Sequence, residues 1–235
     1  NKKIKINSSI NLKKNDTLFI PPNKNGNIFY FSVYGGFKIK KILDSYSYHQ
    51  PSDITDNLKI VSGYNYSFKK PSVLKERFTN DDFFKKHLVN NGIININYEE
   101  EIIESNQKFI KIFENTDYFT TNQFSRQGIR LTGEKSNFFT HQNEISSEVS
   151  IGTLQLPPNG LPIILLNDSQ TTGGYKKIGS IPKSELSKFS QLKSESKIRF
   201  KGVSTEDSVI LFNQMVEDFE LIGFNAYSFY NLSVN

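Results

Sequence analysis

Between Asn167 and Tyr175 the chain reads Asn-Asp-Ser-Gln-Thr-Thr-Gly-Gly-Tyr, a run that sets a carboxylate, side-chain amides and hydroxyls beside a pair of glycines. Gln170, Thr171 and Thr172, with Gln155 upstream, can donate and accept hydrogen bonds to a ureido or lactam group. Gly173 and Gly174 carry no Cβ, so their backbone can approach a ligand closely and offer N–H donors to a developing oxyanion. Arg126 and Arg130 present planar donor forks that pair with a carboxylate bidentately and keep their charge. If both lie in one strand, their spacing puts them on the same face, where Glu134 or Glu148 is the alternative, purely structural ion-pair partner. Asp168 and Glu148 are the candidate bases. Tyr175 can close such a pocket by stacking or hydrogen bonding, or pack as a core aromatic. Without further information this loop is also what an ordinary hairpin connection looks like.

Other chemistries lack their residues. Ser125 and Ser169 stand outside any Gly-x-Ser-x-Gly elbow, and no motif ties His141 to either. Gly173-Gly174-Tyr175-Lys176-Lys177 does not have the spacing of a phosphate-binding loop. His49, His87 and His141 are far apart and the chain has no cysteine, so no metal site is expected. With 29 Lys and Arg against 24 Asp and Glu, the net charge of +5 is spread among acids. Lys38, Lys40, Lys41, Lys69 and Lys70 therefore read as solvated surface and no nucleic-acid partner is expected. No apolar run reaches membrane-spanning length, and Asn1 to Lys5 is too polar for a signal-peptide core. A soluble chain in a reducing cytoplasm is expected.

The elements that must position these residues follow from pattern. Pro157-Pro158-Asn159-Gly160 is a turn signal between the strands Ile151–Leu156 and Pro162–Leu166, the latter apolar enough to be buried on both faces. Strands are also predicted at Ile129–Leu131, Lys176–Ile181 and around Ile198 and Phe200. Earlier, Thr17–Ile20 and Asn27–Tyr34 read as strands about the turn Pro21–Gly26, with Gly35-Gly36 as a bulge or tight bend and Leu58–Val61 as a further strand. Thr79 caps a predicted helix that carries His87 and ends at Gly92. Glu100–Glu114 predicts a second helix, with its acidic residues at the favourable end. Ser184–Leu192 predicts a third, and Ser204 with Asp207 starts a fourth through Val209, Phe212, Met215 and Phe219. Phe219 to Asn235 reads as an added strand or packed tail. No repeat of solenoid period occurs.

Four blocks occur in the order found in one protein family. Asp168 to Ile178 resembles the motif D-x-Q-T-T-G-G-Y-x-x-I of the biotin-dependent carboxyltransferase family, which includes the C subunit of 5-oxoprolinase, allophanate hydrolase subunit 2 and the matching domain of urea carboxylase. Ser125 to Glu134 resembles the family's S-D-R-x-G-x-R-L-x-G block, with Ser125 where the family has Asp. Ser146 to Gly160 is similar to S-E-x-x-x-G-x-x-Q-x-P-x-x-G, and Tyr30 to Gly36 to Y-x-x-V-x-G-G. Asn97-Tyr98-Glu99 stands where relatives have G-P-Q, and Asp44-Ser45 where they have Gly-Ser.

The resemblance implies a mainly β fold of two cyclophilin-like β-barrel units with a few short helices. Residues 1–63 would be the C-terminal part of the first barrel, 64–92 a linker and helix, and 93–235 the second barrel. Asn1 then falls midway through the first barrel, which is expected to be truncated at its N-terminus. The implied activity is that of the C-type component of an ATP-dependent 5-oxoprolinase, opening a small cyclic amide to glutamate with A-type and B-type partner proteins, the chain being active only in the complex. Arg126, Asp168 and Gln170 would be catalytic, and Arg130, Gln155, Thr171, Thr172, Gly173, Gly174 and Tyr175 would bind substrate. Arg126, Gln170 and Thr171 to Gly174 would share one pocket whose opposite wall belongs to another protein. The alternatives within the family are biotin-dependent carboxyl transfer to urea or a related amide, which needs a biotinylated carrier, and a regulatory module antagonising a kinase inhibitor.

Overall fold

The structure, a computed structural model, describes residues 3–21, 26–49, 53–68, 91–139 and 145–232, with side chains of the last helix described as far as 221. The chain divides into two compact units, one comprising Asn1–Ile20 and Phe29–Thr79, the other Pro21–Ile28 and Asn80–Asn235.

The second unit holds the core. Its elements are β1 (Ile93–Tyr98), α1 (Glu100–Ser105), α2 (Gln107–Asn115), β2 (Tyr118–Phe124), β3 (Gly128–Gly133), β4 (Ser147–Glu148), β5 (Thr153–Leu156), β6 (Ile163–Leu165), β7 (Thr172–Gly173), β8 (Lys176–Ser180), α3 (Lys183–Ser190), β9 (Lys197–Gly202) and α4 (Thr205–Leu232). Seven strands close a barrel in the order β1-β8-β5-β6-β3-β2-β9. An odd number of strands cannot alternate direction around a ring, so one neighbouring pair must be parallel. That pair is β1 and β9, in register from Ile93 opposite Arg199 to Ile96 opposite Gly202. The fold is thus mainly β with few helices.

Alternation fills the barrel. Ile94 and Ile96 of β1, Ile129 and Leu131 of β3, Leu154 and Leu156 of β5, Ile178 of β8, and Ile198 and Phe200 of β9 point inward as one cluster. Ile102 of α1 and Phe109 and Phe113 of α2 join it, with the Phe113 ring stacked on Phe200 at 4.9 Å between centroids. On the outside, Val149, Ile163 and Leu165 form a smaller buried cluster. The doubly buried β6 expected from its apolar run is therefore observed, because its two faces feed two different clusters.

The turn after β5 has the geometry its residues suggest. The Gly160 N–H donates to the Pro157 carbonyl at 2.9 Å, and Gly160 has φ of +75°. A Cβ there would also stand 2.3 Å from the Ser136 carbonyl oxygen, so both the turn and the crossing chain require glycine. The Ser204 hydroxyl caps α4, accepting from the Asp207 N–H at 3.0 Å.

Several expectations are corrected. The helix predicted over Glu100–Glu114 is two helices, broken at Asn106 with φ −135° and ψ 39°. Ser105 and Asn106 compete for backbone hydrogen bonds and so favour a helix end. Of the stretch expected as an added strand or packed tail, Phe219 to Leu232 is helical and continues α4. Thr17–Ile20, Asn27–Tyr34 and Leu58–Val61 form no strand; Leu58 ends a 3₁₀ turn, Asp53–Leu58. Asn27 and Ile28 give their N–H groups to Gln191 Oε1 at 2.9 and 3.0 Å instead of to a neighbouring strand. Over its described residues the first unit shows isolated bridges in place of strands, among them Phe37 with Phe68 and Ile42 with Ser45. Strand-like patterns without a partner strand do not hold a sheet conformation. Gly35-Gly36 does close a turn, the Gly36 N–H donating to the Val33 carbonyl at 2.9 Å. The helix predicted from Thr79 and most of the linker lie outside the described residues, as do His87 and His141.

Candidate functional site

The polar loop emerges where β6 ends and crosses the β2–β3 turn. The Leu166 N–H donates to the Gln127 carbonyl at 3.0 Å and the Asp168 N–H to the Arg126 carbonyl at 2.9 Å. These two bonds extend the β3–β6 pairing past the strand ends. The approach is close because residue 128 is glycine: a Cβ there would meet the Ile164 carbonyl oxygen at 2.7 Å.

Arg126 sits in that turn, outside any strand, so the alternation expected to place it beside Arg130 does not apply. Its guanidinium makes a two-pronged contact with Asp168, Nε to Oδ2 at 2.8 Å and Nη2 to Oδ1 at 3.1 Å. The Arg126 side chain is 59% exposed and that of Asp168 16%. Asp168 thus has both oxygens engaged by the group it orients, while the guanidinium stays accessible from solvent. Arg130 lies on β3 opposite Ile163 and opens onto a different groove, shared with Thr121, Gln123, Asn159 and Pro162.

Beyond Asp168 the chain folds back as a two-residue ribbon. β7 pairs with β4, Ser147 opposite Gly173 and Glu148 opposite Thr172, and the Val149 N–H donates to the Thr171 carbonyl at 3.0 Å. This places Glu148 and Thr172 side by side on one ribbon face. Gln170, Thr171, Thr172, Gly174, Glu148 and Tyr175 are all exposed. Tyr175, at 45%, is no core residue. Neither Gly173 nor Gly174 has a positive φ, so their conformational freedom is not used. What Gly173 provides is proximity: a Cβ on it would stand 2.5 Å from Gln155 Nε2.

Gln155 is 1% exposed and its Nε2 has no hydrogen-bond partner. It points outward from β5 beneath the ribbon. Composition alone could not reveal this, although a glutamine between the inward residues Leu154 and Leu156 was a signal. Gly128 carries a comparable signal: an isolated glycine between Arg126 and Arg130 marks a close backbone approach.

The lysines after the loop are committed elsewhere. Lys176, 8% exposed, binds both Glu101 oxygens at 2.9 and 2.8 Å, and Lys177 pairs with Glu99 at 3.4 Å. Committed in this way, they do not fit a phosphate cradle. Among the described residues no three His, Cys, Asp or Glu side chains converge as metal ligands, and no helix is long and apolar enough to cross a membrane.

Comparison with known proteins gives this geometry its context. The family model described as carboxyltransferase domain, subdomain A and B, matches residues 1–202. Two relatives, each named as the C subunit of 5-oxoprolinase, are similar in sequence: one from Haemophilus influenzae is 36% identical over 86 residues, covering 37% of this chain and 28% of the relative. The other, from Escherichia coli, is 35% identical over 89 residues, covering 38% of this chain and 29% of the relative. The matched stretches thus span under a third of each relative's length. In structure the chain resembles Kluyveromyces lactis urea amidolyase, with a TM-score of 0.63 and 20% identity over 79% of this chain and 12% of that one. It also resembles urea carboxylase from the same yeast, with a TM-score of 0.50 and 19% identity over 69% and 15%.

Proposed function

The chain belongs to the carboxyltransferase-domain family, subdomains A and B, and from that premise we propose that it works as the C-type component of an ATP-dependent 5-oxoprolinase assembly that opens a cyclic amide to glutamate. The observation that carries the reading is the sequence identity to two 5-oxoprolinase components of that type, 36% over 86 residues and 35% over 89; the likeness to the urea-processing structures is one of fold.

The local chemistry supports it. 5-Oxoproline is a lactam bearing a carboxylate. In this reading the exposed guanidinium of Arg126 takes the carboxylate while Asp168 holds it in orientation, and Gln170, Thr171 and Thr172 offer hydrogen bonds to the lactam. Because these groups are exposed on one side, the opposite wall is assigned to a B-type partner protein; ligand sites favour such interfaces. ATP supplies phosphoryl activation when bound, and its binding is assigned to a companion protein of the assembly.

The test is reconstitution. Purified chain, mixed with A-type and B-type partner proteins, 5-oxoproline and ATP, is expected to form glutamate, and omission of the chain to stop it. Unchanged glutamate formation without the chain would reject the reading. Dependence on a biotinylated carrier, with urea as the acceptor, would instead support carboxyl transfer.

A further inference from the structure

We propose that Gln155 is the buried donor of a small acyl-oxygen site closed by the β4–β7 ribbon, which a neutral lactam or ureido carbonyl reaches when the ribbon lifts. The inference rests on the substrate class of the preceding reading and adds a second contact point to it.

Three observations converge. Gln155 is 1% exposed, yet Nε2 finds no acceptor, and a buried donor without a partner is an exception that folded proteins rarely retain. The neighbouring residues on this outer face include Val149, Ile163 and Leu165, which are apolar and buried, so a leucine at position 155 would suit them better than an amide. Finally, the group lying over Nε2 is Gly173, where even a methyl group would approach to 2.5 Å. The amide is therefore aimed at the polar loop from below.

The cover is slight. Each strand of the ribbon has two residues, and Thr172, Glu148 and Thr171 are already exposed, so lifting it breaks few contacts; such segments open at small free-energy cost. Once it lifts, an N–H of the Gln155 amide is free to donate to a ligand's carbonyl oxygen. Lys177, opposite Gln155 in the β5–β8 pairing, has its charge matched by Glu99 at 3.4 Å. The site therefore suits a neutral carbonyl.

The experiment is thermal denaturation of the full chain alone, without companion proteins or ATP, titrated with 5-oxoproline or with urea at millimolar concentration. The expected result is a rise in Tm with either probe for the unaltered chain, and its loss in Gln155→Leu, which keeps the volume and removes the amide. Gln155→Glu, which replaces the donor with an acceptor, is expected to lose it too. No rise in the unaltered chain, or an equal rise in Gln155→Leu, overturns the inference. Glutamate formation by the full assembly separates the two readings. Turnover with an unchanged KM in Gln155→Leu would remove this site while leaving the 5-oxoprolinase reading standing. Binding to the isolated chain without glutamate formation by the assembly would do the reverse.

Discussion

Asp168 and Arg126 are joined by main chain and side chain alike: the Asp168 N–H donates to the Arg126 carbonyl at 2.9 Å, and its carboxylate accepts from Nε at 2.8 Å and Nη2 at 3.1 Å. One bond fixes where the turn crosses the loop, and the other two fix how the guanidinium is presented. Loss of the carboxylate therefore leaves the crossing intact but removes the two side-chain contacts that orient the fork.

Asp168→Asn is expected to raise KM for 5-oxoproline about tenfold in the reconstituted assembly, one charge-assisted hydrogen bond's worth of orientation. The Tm of the chain should scarcely move, because an ion pair so exposed on the arginine side contributes about 1 kcal/mol or less. Arg126→Ala should weaken substrate binding by about 1.5–3 kcal/mol, and Arg126→Lys should not restore it, since an ammonium lacks the planar fork. Steady-state kinetics beside thermal melts separates these effects; a large loss of Tm with unchanged KM would make the pair structural.

Gly160→Ala is expected to destabilise the barrel by about 2–3 kcal/mol, from a positive φ imposed on a residue with a Cβ together with a backbone contact that must give. Urea unfolding followed by tyrosine fluorescence measures it. A loss below 0.5 kcal/mol, roughly the scatter of neutral surface changes, would mean that the turn reshapes freely.

Asp117 bridges β2 to β9. It accepts from Arg199 Nε and pairs with Lys197 Nζ at 2.6 Å; these two hydrogen bonds, Arg199's first, hold its carboxyl below the ordinary aspartate value of 3.8. A carboxyl whose folded-state value is depressed adds stability above its unfolded value and loses it as the pH falls through the folded one. Asp117→Asn should therefore be less stable than the unaltered chain at neutral pH, and the difference should shrink once the pH drops below about 4. Urea midpoints at pH 7 and pH 3 supply the check. A difference that does not change with pH would assign the effect to packing.

Gly173→Ala places a methyl group against the end of the Gln155 side chain and is expected to cost about 1 kcal/mol or less, because the glutamine or the short ribbon can give. In a Gln155→Ala background the cost should largely vanish, a coupling that a double-mutant cycle reads directly. Gln155→Leu alone should raise stability by about 1 kcal/mol by removing the unsatisfied donor. Purely additive losses would show that the ribbon does not rest on Gln155.

What the sequence made legible was what is decided locally. The Pro157–Gly160 turn, the Ser204 cap and the apolar β6 each carry their cause within a few residues, and each is observed. The strand-like stretches Thr17–Ile20 and Asn27–Tyr34 show the converse: alternation supplies a face but not a partner, and at Asn27 the backbone donors turn to a glutamine far along the chain. For the polar loop, the residue types and the pairing capacity of Arg126 were readable, whereas its place in a turn was not, because the Ser125–Gln127 turn is defined by the crossing of Asp168 over it. The Gln155 amide is the least readable of all. Whether a buried donor finds an acceptor depends on what packs over it, here a glycine from a segment two strands away.

The parallel seam between β1 and β9 bears on how the barrel is made. These are its first and last strands in the chain, so the pairing that closes the ring joins its most distant segments, and together with the β1–β8 pairing it carries much of the barrel's loop-closure entropy. On the ribosome, β1 must wait with an unpaired edge until β9 emerges, exposing a row of free N–H and C=O groups to other nascent chains. The order in which the strands are synthesised thus makes closure late and places the barrel's greatest exposure to misassembly just before translation of Lys197–Gly202.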